Sequence, residues 1–257
     1  MSIAIFVPVY NDEETLAEVL NKVPKMVGRH NVELFIVDDG SGDKSYEIAL
    51  RFTSNVIRHD KNRGVGAATK TGLVEISKYP DFDYILKFDA DGQHNPAMIP
   101  TVVSRLKKEA DVVICSRFHE RSDVSYAFID RLLLNASAAS WVNQITDWGI
   151  TDARSGFMGF RSDLIREIAN DIITDRYGIP IELLLRIYNL NPDVSVCEIP
   201  HPAVYGGDIS SKLETKYIKE RIADKVNRME VAYTAFLNVL ESLGLNLNEH
   251  RKMSITA

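Results

Sequence analysis

The first 116 residues of this 257-residue chain switch hydrophobic period repeatedly, short apolar runs alternating with stretches of helical spacing. Ile3 to Val9, Glu33 to Val37, Val56 to Arg58, Tyr84 to Phe88 and Asp111 to Cys115 read as strands. Between them, Glu13 to Met26, Lys44 to Thr53, Gly66 to Tyr79 and a segment from Asn95-Pro96 to about Lys108 read as helices. Asp43 is a candidate cap for the second helix, and Asn95-Pro96 has the cap-then-proline order of a helix start. Repeated strand–helix units leave few folds open. The expected class is α/β, a mainly parallel sheet flanked by helices on both faces. Such sheets place ligands beyond the carboxyl ends of their strands. Four polar clusters fall there: Tyr10-Asn11-Asp12, Asp38-Asp39, Asp89 to Gln93, and Ser116-Arg117.

The third cluster, Asp89-Ala90-Asp91-Gly92-Gln93, carries the most specific chemistry. Two carboxylates two residues apart on extended backbone point to one side and repel each other. A hard divalent cation such as Mg2+ or Mn2+ removes that repulsion and takes the oxygens as ligands. A cation held by only one or two carboxylates keeps positions open for phosphate oxygens. Gln93 adds a neutral amide. The same run also suits a surface turn, because Asp-Gly is a common turn pair, and the residues alone leave both readings open.

A chain of this length, 45% hydrophobic, can bury a core without staples. Its two cysteines, Cys115 and Cys197, lie in apolar β-like runs without metal-ligand spacing. Buried thiols in a reducing, cytoplasmic setting are expected. A net charge of −6 argues against a nucleic-acid partner. Met1 to Pro8 lacks a basic region and reads as a first strand, not a signal peptide. No apolar stretch approaches the roughly 20 residues that span a bilayer, so the expectation is a soluble chain or a peripheral one.

The second half changes character. Ala127 to Ile145 reads as a helix carrying Arg131 and Asn135, Thr151 to Arg161 as an irregular strand lining a site, Ile179 to Leu190 as a helix carrying Glu182, and Ser195 to Ile199 as a strand. From Thr215 to Leu243, apolar residues recur at three- or four-residue steps from Ile218 to Leu240, an amphipathic helix. Lys216, Lys219, Arg221, Lys225 and Arg228 share its other face with acidic residues. Its apolar face suits its own domain, a second copy in a homodimer, or an anionic membrane surface, and the mixed charges count against the last. The expected organisation is a domain over residues 1–211 and a helical extension over 212–257.

Taken in order, Phe6 to Glu13, Ile36 to Ser41, Asn62 to Ala68, the Asp-Ala-Asp-Gly-Gln run with His94 and Pro96, and Ser116-Arg117-Phe118 resemble a family 2 glycosyltransferase with the Rossmann-like GT-A fold. Asp152 with Ser155-Gly156-Phe157, Tyr177-Gly178-Ile179 leading to Glu182, and Gly206 to Leu213 are similar to segments of its polyprenyl-phosphate sugar synthases, the branch that includes dolichyl-phosphate mannosyltransferases. That branch usually has an Arg where this chain has Tyr205. Lys212 is then the candidate for the missing diphosphate contact.

The resemblance implies a nucleotide-sugar donor, UDP- or GDP-linked, in a pocket built by Pro8, Tyr10, Asp12 and Asp39, with Asp38 structural. It implies that Asp89, Asp91 and Gln93 hold the donor and a Mg2+ or Mn2+ ion. A cation there stabilises the leaving nucleotide as the sugar–phosphate bond breaks. Arg117 adds charge near the phosphates, and Arg131 faces an acceptor phosphate. His94 supports the metal loop, and His119 and Arg121 belong to an acceptor loop from Phe118 to Tyr126. Asp152 separates two mechanisms. A sugar hydroxyl benefits from a carboxylate base, whereas a lipid phosphate is already anionic and leaves Asp152 to position loops.

The implied reaction is inverting transfer to a polyprenyl phosphate. Rival readings are transfer to a sugar hydroxyl on a glycan or glycolipid, a sugar nucleotidyltransferase, and a non-catalytic nucleotide-sugar-binding subunit. Reaching a lipid acceptor requires peripheral contact with the cytosolic membrane face or a membrane partner. Gly64-Val65-Gly66-Ala67-Ala68-Thr69 partly matches a dinucleotide fingerprint but follows the third strand and lacks the last glycine. Its glycines are expected to allow close packing or backbone approach to the donor.

Overall fold

A computed structural model describes residues 2–122, 129–202 and 215–245, with side chains left out for 129–133 and 215–228. Eight strands form one sheet: β1 (Ser2–Val9), β2 (Met26–Val27), β3 (His30–Asp38), β4 (Val56–Arg58), β5 (Phe82–Lys87), β6 (Val112–Ser116), β7 (Met158–Arg161) and β8 (Val196–Pro200). Their order is β2-β3-β1-β5-β7-β6-β8, with β4 pairing β3. The β1–β3, β1–β5, β3–β4 and β6–β8 pairs are parallel. β2 runs against β3, and β7 runs against both β5 and β6. Six strands therefore share one direction, and the insertion of β7 reverses the chain between β5 and β6.

Alternation along the strands feeds two apolar layers. Ala4, Phe6, Phe35, Val37 and Ile85 face one side, with α3 (Val65–Ser77), α5 (Ile129–Thr146), α6 (Ser162–Ile168), α7 (Ile179–Leu190) and α8 (Thr215–Leu243) contributing to that layer. Ile3, Ile5, Val7, Ile36 and Leu86 face the other, with α1 (Leu16–Asn21), α2 (Ser45–Ala49) and α4 (Ile99–Lys108). Near-continuous burial along β1, β5 and β6 is what a strand covered on both faces requires.

Most sequence-read elements stand within a few residues of their expected bounds, and two differ more. The helix expected over Glu13 to Met26 spans only Leu16–Asn21. Pro24 has no amide to donate and disfavours helix at Val23, so the chain turns and Met26–Val27 pairs with β3 instead. Between Thr151 and Arg161 only Met158–Arg161 is strand. A short helix, α6, follows it and was not anticipated. Cys115 is buried, whereas Cys197 is half-buried at the sheet's edge strand β8. The latter part of α8 buries Ala232, Phe236, Val239 and Leu240, and Trp141 of α5 stacks on Phe236 at 5.6 Å.

Candidate functional site

The shared strand direction brings the ends of β1, β3, β5 and β6 to one rim, and the reversed β7 brings its preceding loop, residues 152–157, to the same rim. Two cavities open there. The larger, about 490 Å3, is lined by Pro8, Tyr10, Asp12, Asp39, Asp89 and Asp91, together with Asn62, Gly64, Val65, Arg176 and Tyr177. The smaller, about 210 Å3, is lined by Lys87, Asp89, Gln93, His94, Arg117, Asn135, Arg154, Gly156 and Tyr177. They share Val65, Asp89 and Tyr177. The structure thus gathers residues expected for the donor in one cavity and sets Gln93 and Arg117 in its neighbour.

In the larger cavity Tyr10 is 47% exposed and offers an open ring face. Asp39 is buried and accepts bonds from the Gly64 amide (2.7 Å), the Arg63 amide (2.9 Å) and His59 Nδ1 (2.6 Å). It therefore fixes the loop that closes the cavity as well as lining it. Asp38 is buried and pairs with Arg58 Nε at 3.1 Å. Asp12 accepts from the Tyr10 amide (3.0 Å). Burial, with the charges of Asp91 and Asp89 adding to it, raises its carboxyl to about 6. Burial and the neighbouring Asp89 raise Asp91 as well.

The rest of the acidic run is held from within. Lys87 is 3% exposed, and its ammonium donates to Asp89 Oδ1 at 2.7 Å. Burial pushes against ionisation of Asp89, but Lys87, His94 and Arg117 hold it below its ordinary range. His94 Nδ1 accepts the Asp89 amide at 2.9 Å. Burial lowers that imidazole to about 4, so it is neutral with its proton on Nε2. Asp91 Oδ1 accepts the Gln93 amide (2.9 Å), which shapes the turn. A methyl group at Gly156 would come 2.1 Å from Asp89 Oδ2, so only glycine leaves this carboxylate its place.

These residues fit a hard cation. Asp12 and Asp91 resist ionisation chiefly because they are buried, with neighbouring carboxylates adding to the effect, and a dication would supply the positive charge that favours their ionised forms. Among the described residues no three His, Cys, Asp or Glu side chains form a metal cluster. A cation held by Asp89, Asp91 and the side-chain oxygen of Gln93 would keep coordination positions for diphosphate oxygens.

In the smaller cavity Arg117 and Asp152 form a bidentate pair, Nε to Oδ2 at 2.8 Å and an Nη to Oδ1 at 2.9 Å. Asp152 is fully buried and also accepts the amides of Arg117 and Arg154. Its peptide is fixed from behind by Glu198, which accepts the Thr151 and Asp152 amides and the Thr151 hydroxyl. Asn135 of α5 donates to the Thr151 carbonyl (2.7 Å).

A strap over residues 173–177 roofs both cavities. Buried Glu182 accepts the amides of Ile173 (2.8 Å) and Thr174 (2.7 Å) and pairs with Arg186 Nε (2.6 Å). The Asp175 carbonyl caps the start of α3, accepting from Gly66 and Ala67. A Cβ at Gly66 would meet the Thr174 carbonyl oxygen at 2.2 Å. The glycines after β4 therefore admit the strap's backbone, the close packing expected of them.

Sequence reading passed over Lys87, Arg176 and Glu198 as site residues. A lysine inside the apolar run Tyr84 to Phe88 was the available signal for the first. Arg131 lies on α5, and its side chain is outside the described residues, as are Lys212, Gly206 to Leu213 and 123–128 of the expected acceptor loop.

An α/β sheet with a cavity of about 490 Å3 and an acidic run at its strand-end rim suits an anionic ligand bound with a cation. The family model of Glycosyl transferase family 2 matches residues 4–169, and the chain belongs to that family. It is a glycosyltransferase, and relatives named as polyprenyl-phosphate sugar transferases are among the proteins it resembles. It is 31% identical over 204 residues to an uncharacterized protein from Methanocaldococcus jannaschii, covering 79% of this chain and 82% of that one. It is 28% identical over 228 residues to the dolichol-phosphate mannosyltransferase of Pyrococcus furiosus, covering 86% of this chain and 61% of that one. A UDP-N-acetylglucosamine–dolichyl-phosphate N-acetylglucosaminyltransferase from Methanococcus voltae is 26% identical over 79% of this chain and 86% of its own. In fold, the chain matches glucosyl-3-phosphoglycerate synthase from Mycobacterium tuberculosis, solved with Mn2+ and UDP-glucose, with a TM-score of 0.66, 16% identity, and coverage of 95% and 80%.

Proposed function

We propose that the protein transfers a sugar, with inversion, from a UDP- or GDP-linked donor in the larger cavity to the phosphate of a polyprenyl phosphate entering the smaller one. One observation carries the choice of acceptor. Both Asp152 oxygens are committed to Arg117 and to backbone amides, so the carboxylate best placed to serve as a base is occupied. A hydroxyl acceptor needs a base, whereas a phosphate monoester arrives ionised. Its oxygen attacks the anomeric carbon, the carbon–oxygen bond to the donor diphosphate breaks, and the nucleoside diphosphate leaves. Tyr10 stacks on the base, Asp39 and Asp12 border the nucleoside, and Asp89, Asp91 and Gln93 hold Mg2+ or Mn2+. That cation would neutralise charge on the leaving diphosphate. Arg117, held by Asp152, points its charge at the reacting phosphates, and Arg131 and Lys212 supply further cationic contacts.

The names of the Pyrococcus and Methanococcus relatives support this acceptor class. No described helix is long and apolar enough to cross a membrane. In this reading the acceptor lipid is met at a membrane surface or through a partner. The test is a donor panel assayed with undecaprenyl phosphate and with undecaprenol. Transfer to the phosphate alone, abolished in Asp91→Ala with its melt preserved, is expected. Equal transfer to the alcohol refutes the acceptor assignment, and full activity in Asp91→Ala removes that residue from the mechanism.

A further inference from the structure

Lys87 is a buried charge that the reaction above does not use. It sits in β5 opposite Phe6 of β1 and Met158 of β7. Lys87 is among the residues lining the smaller cavity. Burying an ammonium costs several kcal/mol unless it is paired and its hydrogens are bonded. Two of its three hydrogens are accounted for, by Asp89 Oδ1 (2.7 Å) and the Gly156 carbonyl (3.3 Å).

The charge balance changes when the donor binds. If Asp89 also serves a dication, Lys87 shares its counter-charge with a second cation, and the two repel. Among the described residues lining this cavity, Asp89 is the sole carboxylate, and Asp152 answers Arg117 from behind it. The donor diphosphate would answer the dication, so an anion that answers Lys87 has to come with a second ligand in this cavity.

We infer that Lys87 binds the anionic headgroup of the acceptor, a phosphate monoester, inside the smaller cavity beside Asp89. This rests on the donor and acceptor reading above and names the residue that meets the nucleophile from the sheet. Because its ammonium is tied to Asp89, Lys87 would also couple the two cavities, since filling one site changes the charge felt in the other.

The test compares wild type with Lys87→Met and Lys87→Gln. The glutamine removes the charge while keeping a hydrogen-bond donor for Gly156. Each protein is titrated calorimetrically with farnesyl phosphate in detergent, with farnesol and inorganic phosphate as tail-only and head-only controls. A separate titration uses Mn2+ with UDP or GDP. Wild type is expected to bind farnesyl phosphate at least tenfold more tightly than farnesol. Both variants should lose at least tenfold of that preference while binding farnesol as wild type does. A merely structural lysine would weaken farnesyl phosphate and farnesol together and leave their ratio unchanged, and that result overturns the inference. So does an undiminished phosphate preference in either variant. In wild type labelled with 15N-lysine, the slowest-exchanging ammonium signal must shift with farnesyl phosphate and not with farnesol, a readout that needs no variant to fold, and a still signal also overturns it. Wild type that binds Mn2+–nucleotide but shows no phosphate preference sinks the acceptor reading and the inference together, whereas preference retained in the variants sinks the Lys87 role alone.

Discussion

Replacing Asp12 with Asn should stabilise the empty protein while weakening its hold on the donor. Burial, aided by Asp91 and Asp89, raises the Asp12 carboxyl from 3.8 to about 6. Its ionised form at neutral pH therefore costs the fold up to about 3 kcal/mol, at 1.36 kcal/mol per pH unit. Solvent reaches part of this half-buried side chain, and screening brings the figure to about 1–2 kcal/mol. Asparagine keeps an oxygen for the Tyr10 amide, so the substitution removes charge and little else. The pH window follows from the direction of the shift. Below about 4 the carboxyl is protonated folded or unfolded, and the variant has no advantage. As pH rises from there through about 6, only the wild type acquires the strained charge, and the advantage becomes complete above that. Thermal melts should show Asp12→Asn about 2–8 °C more stable at pH 7.5, at roughly 2–4 °C per kcal/mol for a chain of this size, and equal to wild type at pH 4. Mn2+ with UDP or GDP should narrow the gap, because bound cation relieves the same charge in wild type. An advantage that persists unchanged at pH 4, or none at pH 7.5, refutes the electrostatic account.

Gly156→Ala should cut Mn2+–nucleotide affinity at least tenfold by calorimetry, because the new methyl displaces Asp89 Oδ2; unchanged affinity would show that this oxygen is not used. Arg117→Met leaves the buried Asp152 carboxylate without its ionic partner. Urea unfolding should register a loss of about 3 kcal/mol, along with loss of transfer. Glu182→Gln removes the charge that anchors the strap and pairs Arg186. It should lower stability by about 2 kcal/mol and weaken donor binding, measured by melt and calorimetry; a weakened melt with intact donor affinity would show that the strap does not serve the donor.

How much of this was legible in the residues varies by segment. The acidic run after β5 and the Tyr10 to Asp12 turn after β1 were readable because strand periodicity and turn chemistry are local, and both end where the apolar alternation stops. The Arg117–Asp152 pair was not readable as a pair. Its members are 35 residues apart, and they meet because β7 enters between β5 and β6 in the opposite direction, which is a matter of sheet order rather than of either segment. Asp152 consequently reads as a base from its residue type and as the anchor of an arginine from its surroundings. The strap was hidden for a similar reason. Glu182 and Arg186 are one helical turn apart and could be seen as a pair, but the amides that Glu182 binds lie before the helix, and the glycines that admit the strap follow β4.

Sequence alone determined the succession of strands and helices, the two-sided burial that demands a mainly parallel sheet, and the polar clusters at strand ends, because each depends on neighbours within one or two turns of the chain. Tertiary structure decided which carboxylates are strained, which are already paired, and that a lysine lies buried at the junction of two cavities. Those properties depend on burial and on distances between charges, and both are set by contacts between segments far apart in the chain.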